Sequence, residues 1–195
     1  MTPDADQLYE ALFKSWERYL ILTKEEKTAF KQASEVHHYK KGKILVRQGH
    51  ICDMFYFVLQ GAARAYRRTG DKEHTHGFQF DRFDAVSLSS FTAQQPSQES
   101  IELIEDSSLI TISRDSLHRL YDTYPRSNMI GRSGVEEAFV ELEKRTRSLQ
   151  QLSARERYEE LIARNPLLLQ RVPLKHIASY LGITQETLSR IRARR

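Results

Sequence analysis

The stretch that decides the fold is PLKHIASYLGITQETLSRIRARR, residues 173–195. Its apolar residues fall where two short crossing helices would face each other; they are Ile177, Ala178, Leu181, Ile183, Leu188 and Ile191. Gly182 lies between the two predicted helices, where the chain must bend sharply and a positive φ is favoured. Thr184 is a natural N-cap for the second helix. The pattern therefore predicts a helix-turn-helix.

The outward face of the second predicted helix carries polar and cationic side chains of the kind that read base edges in a DNA major groove. These residues are Gln185, Glu186, Thr187, Ser189, Arg190, Arg192 and Arg194. Two amphipathic helices around a glycine turn also occur in all-α proteins that never bind DNA. Charge favours DNA here, because residues 153–195 carry nine Lys and Arg against four Asp and Glu, a balance of +5. The whole chain carries +4, so residues 1–152 carry about −1.

Composition places the chain among soluble globular proteins. It has 195 residues, enough for one large domain or two small ones, with 39% hydrophobic and 29% charged residues. Its beginning, MTPDADQLYEAL, does not resemble a signal peptide, and no apolar run is long enough to span a bilayer. The single cysteine, Cys52, excludes an intrachain disulfide. We therefore expect a cytoplasmic protein with no membrane partner.

The hydrophobic period changes along the chain. Residues 7–33 have two helical patterns, and Thr23 with Glu26 forms a predicted capping box. From Val36 to Ser113 the period approaches two, and glycine and proline turn signals separate about seven short β-rich runs. This arrangement predicts an antiparallel sandwich or barrel, followed by a short helix that ends at Pro125.

A long helical segment then carries a heptad stripe of apolar residues, interrupted by one arginine. It predicts a dimerisation helix, although a single long helix lying on its own domain is the alternative. One helix-turn-helix covers only a half-site of DNA, which favours a two-fold pair. The predicted interface residues are Val135, Ala138, Leu142, Arg145, Leu149 and Leu152.

Three segments, taken in order, resemble the Crp/Fnr family of bacterial transcription regulators. They are KKGKILVRQGHICDMFYFVLQGAARAY (residues 40–66), LITISRDSLHRL (109–120) and LKHIASYLGITQETLSRIR (174–192). The resemblance implies an α+β fold in three parts. These are a cyclic-nucleotide-binding-like jelly-roll sensor domain with flanking helices over 1–126, a dimerisation helix over 127–152 and a helix-turn-helix DNA-binding domain over 153–195.

The resemblance also implies a function, which is sequence-specific DNA binding by a homodimeric transcription regulator. The expected partners are a palindromic operator in double-stranded DNA, a second copy of the chain and RNA polymerase. By resemblance, Gln185, Glu186 and Arg190 contact base edges, and their hydrogen-bonding chemistry suits that role. The other predicted DNA-binding residues, read mainly as backbone contacts that set register, are Lys175, Thr184, Thr187, Ser189, Arg192 and Arg194. Glu186 could instead, or in addition, pair with Arg190 one helical turn away.

The chain departs from the family at the phosphate-binding cassette, a Gly-Glu pair and an Arg-Ser/Thr pair that hold the cyclic nucleotide. No Arg or Lys occurs between Phe83 and Ser113, so a buried phosphate would lack compensation. We therefore predict that neither cAMP nor cGMP binds, and that the effector is another small molecule or absent. The residues of this degenerate effector pocket are Phe83, Asp84, Ala85, Val86, Ser97 and Gln98.

Cofactor chemistry is not predicted. One cysteine cannot ligate the iron–sulfur cluster that oxygen-sensing family members use. His74 and His76 share a face of a predicted strand and could form a metal site with His50 or Cys52, but exposed strand histidines more often mark a polar face. We predict no cofactor and no metal.

Two further expectations concern the interior and the end of the chain. Six aromatic residues are predicted to fill the interior of the roll, unless an apolar ligand replaces the nucleotide there: Tyr56, Phe57, Phe78, Phe80, Phe83 and Phe91. The sequence stops at Arg195 without the β-hairpin wing that many family members carry after the recognition helix.

Other functional classes are weaker interpretations. No nucleophile, zinc or phosphate-loop motif of an enzyme is present, so catalysis is not expected. The alternative to a transcription regulator is a ligand-binding or protein-interaction module without specific DNA readout.

Overall fold

A computed structural model of the chain describes residues 4–193, and within them eight strands form two antiparallel sheets of four. The strands are β1 Ser34–Tyr39, β2 Ile44–Val46, β3 Met54–Gln60, β4 Ala63–Thr69, β5 Lys72–Gln79, β6 Phe83–Ala85, β7 Ser100–Leu103 and β8 Ser107–Ser113. The first sheet has the order β1-β8-β3-β6 and the second has the order β2-β7-β4-β5. Together they form the predicted β-roll.

The first sheet is covered on both faces, which explains the unbroken apolar run of β8. In the pairing of β3 with β8, Val58 lies opposite Leu109 and Phe57 lies opposite Ile110. All four side chains are buried, although neighbours along a strand point to opposite faces. One face therefore fills the roll and the other packs against helices.

The N-terminal helices α1, Ala5–Trp16, and α2, Lys24–Ala33, cover that outer face. Thr23 caps α2 with the predicted capping box, since its hydroxyl accepts from the Glu26 N–H at 3.2 Å. The Trp16 ring lies 5.0 Å from Phe30 and 5.3 Å from Phe57, edge-on in both cases. These aromatic contacts attach the helices to the sheet.

A short helix α3, Leu88–Ala93, follows β6, and α4, Arg114–Thr123, follows β8. A single 3₁₀ turn, Pro125–Ser127, leads into α5, Asn128–Gln151. The predicted long helix is therefore present, and none of its described residues is buried within this one chain.

The C-terminal helices are α6 Ala154–Arg164, α7 Leu168–Arg171, α8 Leu174–Leu181 and α9 Gln185–Ala193. Their apolar faces bury Tyr158, Leu168, Ile177 and Leu181 in a second core. Ala62 and Ile104 of the roll belong to the same cluster. The C-terminal helices are thus packed directly on the roll.

The prediction that all six aromatic residues fill the roll is wrong for several of them. Phe83 is 58% exposed, because β6 is a short strand at the edge of its sheet. Phe78 and Phe80 pack against the second core, towards the C-terminal helices. Phe57 faces the N-terminal helices through Trp16 rather than the interior.

Candidate nucleic-acid interface

The predicted turn between α8 and α9 has the geometry that its sequence favours. Gly182 ends α8 with φ of 70°, a left-handed backbone conformation that residues other than glycine adopt only with strain. The Thr184 hydroxyl accepts a hydrogen bond from the Thr187 N–H at 3.2 Å, as expected of an N-cap. Ile177, Ala178 and Leu188 are buried between the two helices. Both the glycine conformation and the threonine cap were predicted correctly.

Most of the predicted base-reading and phosphate-binding residues lie on one solvent-exposed surface. The exposed ones are Lys175, Thr184, Gln185, Glu186, Ser189, Arg190 and Arg192. Thr187 is half-buried and its hydroxyl contacts Thr184, so it completes the cap. Within residues 4–193, Glu186 forms no ion pair with Arg190, whose guanidinium points towards Thr187 at 3.4 Å. Arg194 lies outside the described residues.

Helix α8 packs against β5, which is an edge strand of the second sheet. The Ser179 hydroxyl accepts from the Thr75 N–H at 2.9 Å and donates to the Glu73 carbonyl oxygen at 3.1 Å. One side chain thus satisfies two backbone groups of a strand edge that would otherwise be open. The Tyr180 ring adds an aromatic contact, 5.2 Å from Phe78.

Arg64 of β4 is a buried charge at the centre of this contact. Its guanidinium donates to Glu102 at 2.8 Å and to Glu73 at 2.6 Å. Its third partner is Nδ1 of His176 on α8, at 3.0 Å. Burial alone would raise the pKa of Glu73, but the hydrogen bonds from Arg68 and Arg64 hold it below its usual value. The charge is therefore paired within the roll and also bonded to the C-terminal helices.

His176 is held neutral by the same contact. Burial lowers its pKa to about 4, and the positive charges of Arg64 and Lys175 act in the same direction. A neutral ring has one unprotonated nitrogen, and this nitrogen can accept the hydrogen bond from Arg64. Protonation of His176 would put two like charges in contact.

Arg171, at the end of α7, forms a second contact between the roll and the C-terminal helices, and this one is ionic. Its guanidinium donates to Asp81 at 2.6 Å, to Glu105 at 2.8 Å and to the Gly61 carbonyl oxygen at 2.9 Å. The Phe80 ring lies 5.1 Å from its guanidinium carbon. We call the contacts of Arg64 and Arg171 with their partners the interdomain clamp.

The exposed face of α5 carries the predicted heptad residues. Val135, Leu142 and Leu149 are exposed, by 48%, 62% and 48%. Phe139 is 61% exposed on the same stripe and was not predicted, because it falls one position after the a/d pattern. Ala138 is also exposed and Leu152 is half-buried.

Arg145 has an intrachain partner. Its guanidinium lies over the Tyr180 ring, 3.9 Å from the centroid, and donates to the Tyr180 carbonyl oxygen. This contact gives the interruption of the heptad stripe a role within one chain. Whether Arg145 also contacts a second chain stays a prediction, as does the rest of the interface.

The degenerate effector pocket divides into two groups. Ser97 is buried, and its hydroxyl bonds Ser87 at 2.9 Å and the Glu99 carbonyl oxygen at 2.8 Å, whereas Gln98 next to it is exposed. Ala85 is fully buried. The remaining residues, Phe83, Asp84 and Val86, line a separate cavity.

Glu99 supplies an internal anion beside the cassette. Its carboxylate pairs with His76 at 2.9 Å, and Arg67 donates to the neighbouring Gln98 carbonyl oxygen at 3.0 Å. Burial raises the pKa of Glu99, but hydrogen bonds from His76 and Ser87 outweigh burial and lower it. Arg67 comes from β4, so a search of residues 83–113 could not find this cation.

Searches for a metal site and for a membrane span gave no candidate. In residues 4–193, no three His, Cys, Asp or Glu side chains come together in a way that could hold a metal ion. His74 is exposed and Cys52 is a buried free thiol. None of the described helices combines the length and the apolar content that crossing a bilayer requires.

Comparison with known proteins agrees with this architecture. Residues 36–124 match the family model of the cyclic nucleotide-binding domain. A sequence search of curated proteins finds no match. Three solved structures are similar to the chain over most of its length.

The first is a protein described as a transcriptional regulator of the Crp/Fnr family from Eubacterium rectale, with a TM-score of 0.71 and 18% identity over 92% of this chain and 85% of that one. The chain has the fold of the Crp/Fnr regulators. The c-di-GMP-responsive global regulator CLP of Xanthomonas campestris gives 0.69 and 16%, over 88% and 91% of the two chains. FixK2 of Bradyrhizobium japonicum gives 0.68 and 20%, over 83% of each.

The Crp/Fnr resemblance and the predicted fold class are therefore confirmed. Sequence reasoning did not find the interdomain clamp. Arg171 contacts residues 66 and 90 positions away, and no local pattern marks such pairs. It also missed β6 and α3, which lie in a stretch without clear periodicity.

Proposed function

We propose that the chain is a homodimeric, sequence-specific DNA-binding transcription regulator of Crp/Fnr type. The observation that carries the proposal is the α9 surface, where Gln185, Glu186 and Arg190 are exposed side by side on a helix with a buried opposite face. Arginine can donate two hydrogen bonds to guanine, glutamine can pair with adenine, and glutamate can accept from cytosine. Such a surface fits the major groove.

Dimerisation is part of this proposal. The stripe Val135, Phe139, Leu142 and Leu149 follows i, i+4, i+7 and i+14 spacing on one face of α5. An apolar stripe of that length on a solvent-exposed helix is typical of a helix that packs against a partner. A second copy supplies that partner and places two reading helices on one duplex, so the operator should be palindromic.

The interdomain clamp supports a regulatory rather than a passive role for the roll. It bonds α8 to β4 and α7 to the turns of the roll, so we expect a displacement of the roll to be transmitted to the reading helix. A signal acts only if it binds one arrangement of these parts better than another. In the proposed regulator, the state of the roll thus determines the position of α9.

We further propose that cAMP is not the signal. Glu99 already supplies a carboxylate at the cassette, paired with His76, and a phosphate there would have to displace it or lie beside it. Isothermal titration of the full chain with cAMP should show no binding in the micromolar range. Micromolar binding would contradict this part alone and would leave the DNA-binding proposal intact.

Selection from a random duplex library tests DNA reading, and a palindrome is the expected result. Arg190→Ala should lose roughly 1–3 kcal/mol of discrimination at one base position in each half-site. Arg192→Ala should weaken binding to all DNA sequences alike. It should also lower the slope of the logarithm of affinity against the logarithm of salt concentration by about one. Arg155→Ala on α6, which removes an exposed cation paired with Glu159, is the matched control.

The outcomes separate the proposed function from its alternative. A docking module without DNA readout would bind random and selected duplexes equally, and the salt dependence would be the same for both. Recovery of no preferred sequence would therefore overturn specific recognition.

A further inference from the structure

A cavity of about 780 Å³ lies between the outer face of the first sheet and the surrounding helices α1, α2, α4 and α5. Its volume is within the range of small-molecule sites. The cassette residues Ser87, Ser97, Glu99 and His76 do not line it, and Phe57, which does, points towards the N-terminal helices. The cavity is therefore outside the roll and distinct from the place where the resemblance puts a nucleotide.

Aromatic side chains line this cavity on several sides. Trp16 and Tyr19 line it from the N-terminal side, Phe57 from the sheet and Tyr121 from α4. Aromatic faces attract cations as well as apolar groups, because the ring quadrupole is negative above its plane. Arg18 already uses this effect, with its guanidinium carbon 4.4 Å from the centroid of the Tyr19 ring.

Among the carboxylates that line the cavity, Asp84 is the one without an ion-pair partner in the described residues. It lies directly opposite Phe57 in the pairing of β3 with β6, so both side chains project from the same face of the sheet. Among the described residues, none donates a side-chain hydrogen bond to the Asp84 carboxylate or forms an ion pair with it. The Asp84 side chain is solvent-accessible in this one chain, and it lines the cavity.

The neighbouring charges leave Asp84 unpaired. Arg18 is the nearest cation, but it pairs with Glu137 at 3.1 Å, and the Tyr19 hydroxyl also donates to Glu137. Desolvation by the surrounding protein and, second, the charge of Glu137 together raise the pKa of Asp84 from 3.8 to about 7, and Arg18 only partly opposes them. Among the described residues Asp84 thus has no ion-pair partner, although Lys14 and Arg82 also line the cavity.

Helix α5 is shaped to leave this space open. A side chain at Gly131 would place its Cβ 2.4 Å from the Tyr121 hydroxyl, so a larger residue there would force the Tyr121 side chain to move. A Cβ at Gly134 would lie 3.6 Å from Oδ2 of Asp84, in ordinary contact. Two glycines of one helix, Gly131 and Gly134, therefore lie at this cavity.

We propose that this cavity binds a small organic cation, a protonated amine on an aromatic or apolar body, with the ammonium group on Asp84. The apolar body would contact Trp16, Phe57 and Tyr121, and the ammonium group would donate hydrogen bonds to the carboxylate. Binding itself is independent of DNA recognition. That the amine acts as the effector, through the α5 wall of the cavity, rests on the proposed function.

The test compares three probes that share one ring system and differ in charge: tryptamine, tryptophol and indole-3-acetate. Calorimetry on the full chain should show tryptamine binding more tightly than neutral tryptophol, with indole-3-acetate binding weakest. Asp84→Asn should weaken tryptamine binding about 10- to 100-fold and leave tryptophol unchanged, because a charge-assisted hydrogen bond contributes roughly 1.5–3 kcal/mol. Asp122→Asn, an exposed carboxylate on α4 next to Tyr121, is the matched control.

Two further measurements make the result specific to this cavity. Gly134→Leu should block tryptamine and tryptophol alike, because the added side chain fills space beside Asp84. Tryptamine affinity should rise about tenfold from pH 6 to pH 8, as Asp84 loses its proton while the amine keeps its own. The groups that interact electrostatically with Asp84 are Arg18, Tyr19, Tyr121 and Glu137. Burial raises the pKa of Tyr19 and of Tyr121 to about 12, so neither hydroxyl ionises in that interval.

The proposal is overturned if no probe binds, if tryptophol binds as tightly as tryptamine, or if Asp84→Asn leaves tryptamine affinity unchanged. Preferred binding of indole-3-acetate would also overturn it and would point to the cations Lys14 and Arg82 at the cavity lining. These outcomes concern binding alone and do not depend on whether the chain selects a palindrome from random duplexes.

Discussion

Helices α5 and α8 flank the same roll and differ in how much of their surface the rest of the chain covers. Helix α8 has eight residues, buries Ile177, Ala178 and Leu181, and is bonded to the roll through His176 and Ser179. Helix α5 has 24 residues, and none of those described is buried. The position of α8 is therefore determined within one chain, whereas α5 presents an apolar face that one chain does not cover.

The largest expected effect comes from placing a charge on the α5 stripe. Leu142→Glu puts a carboxylate where the proposed partner helix packs, so it should weaken dimerisation by at least ~100-fold. Sedimentation equilibrium measures the change. Arg147→Glu, an exposed position on the same helix that is far from the stripe, should leave the dimer intact. If both variants remain dimeric, the exposed stripe is not the interface.

The next largest effect is expected at the interdomain clamp. Arg171→Ala removes the partner of Asp81 and Glu105, and it leaves both carboxylates beside each other without a cation. We expect a loss of roughly 2–4 kcal/mol in the free energy of unfolding, somewhat below a fully buried pair because Arg171 is partly exposed. Urea unfolding monitored by circular dichroism measures it.

The control for Arg171 is an arginine whose ion pairs are exposed. Arg164→Ala breaks contacts with Glu160 and Glu141, and such surface pairs contribute about 0–1 kcal/mol. Equal destabilisation by the two substitutions would show that the clamp adds nothing beyond surface pairing. It would also remove the support that the clamp gives to a regulatory roll.

The same contrast explains what could be predicted from the sequence. The helix-turn-helix was predictable because its information is local, in the period of its apolar residues, the turn at Gly182 and the cap at Thr184. The long helix α5 was predictable for the same reason, because the spacing of its apolar residues is local information. The clamp depends on pairs such as Arg64 with His176, 112 positions apart, and only the packing of α8 on β5 brings them together.

The effector region was predictable only in part. The absence of cations in residues 83–113 was visible, but Arg67 and His76 reach the cassette from strands β4 and β5. The prediction grouped Asp84 with Ser97 because the resemblance places them at the two halves of the phosphate-binding cassette. The pleat of β6 instead directs Asp84 to the outer face of the sheet, opposite Phe57.

His176 gives the interdomain clamp a pH dependence. Its pKa is about 4 in the folded chain against an ordinary 6.5, so between these values the unfolded chain binds the proton more readily. Stability should therefore fall as pH drops from about 6.5 to about 4, by roughly 2 kcal/mol after allowance for partial solvation of the ring. His176→Gln should flatten this part of the stability curve, whereas His74→Gln on the exposed face of β5 should not.

Asp84, which lines the cavity beside α5, should give the smallest effect, because its side chain is solvent-accessible and water screens its charge. Its effect should also have the opposite sign. Its pKa is raised from 3.8 to about 7 by burial and by Glu137, so the folded chain holds the proton that the unfolded chain releases. Its destabilising contribution should therefore grow as pH rises from about 4 to about 7 and then level off. Asp84→Asn should raise the melting temperature at pH 8 and leave it nearly unchanged at pH 4, with Asp122→Asn as the control. If Asp84→Asn does not raise the melting temperature at pH 8, water in the cavity already solvates the carboxylate. The unpaired carboxylate would then no longer favour the binding of an amine.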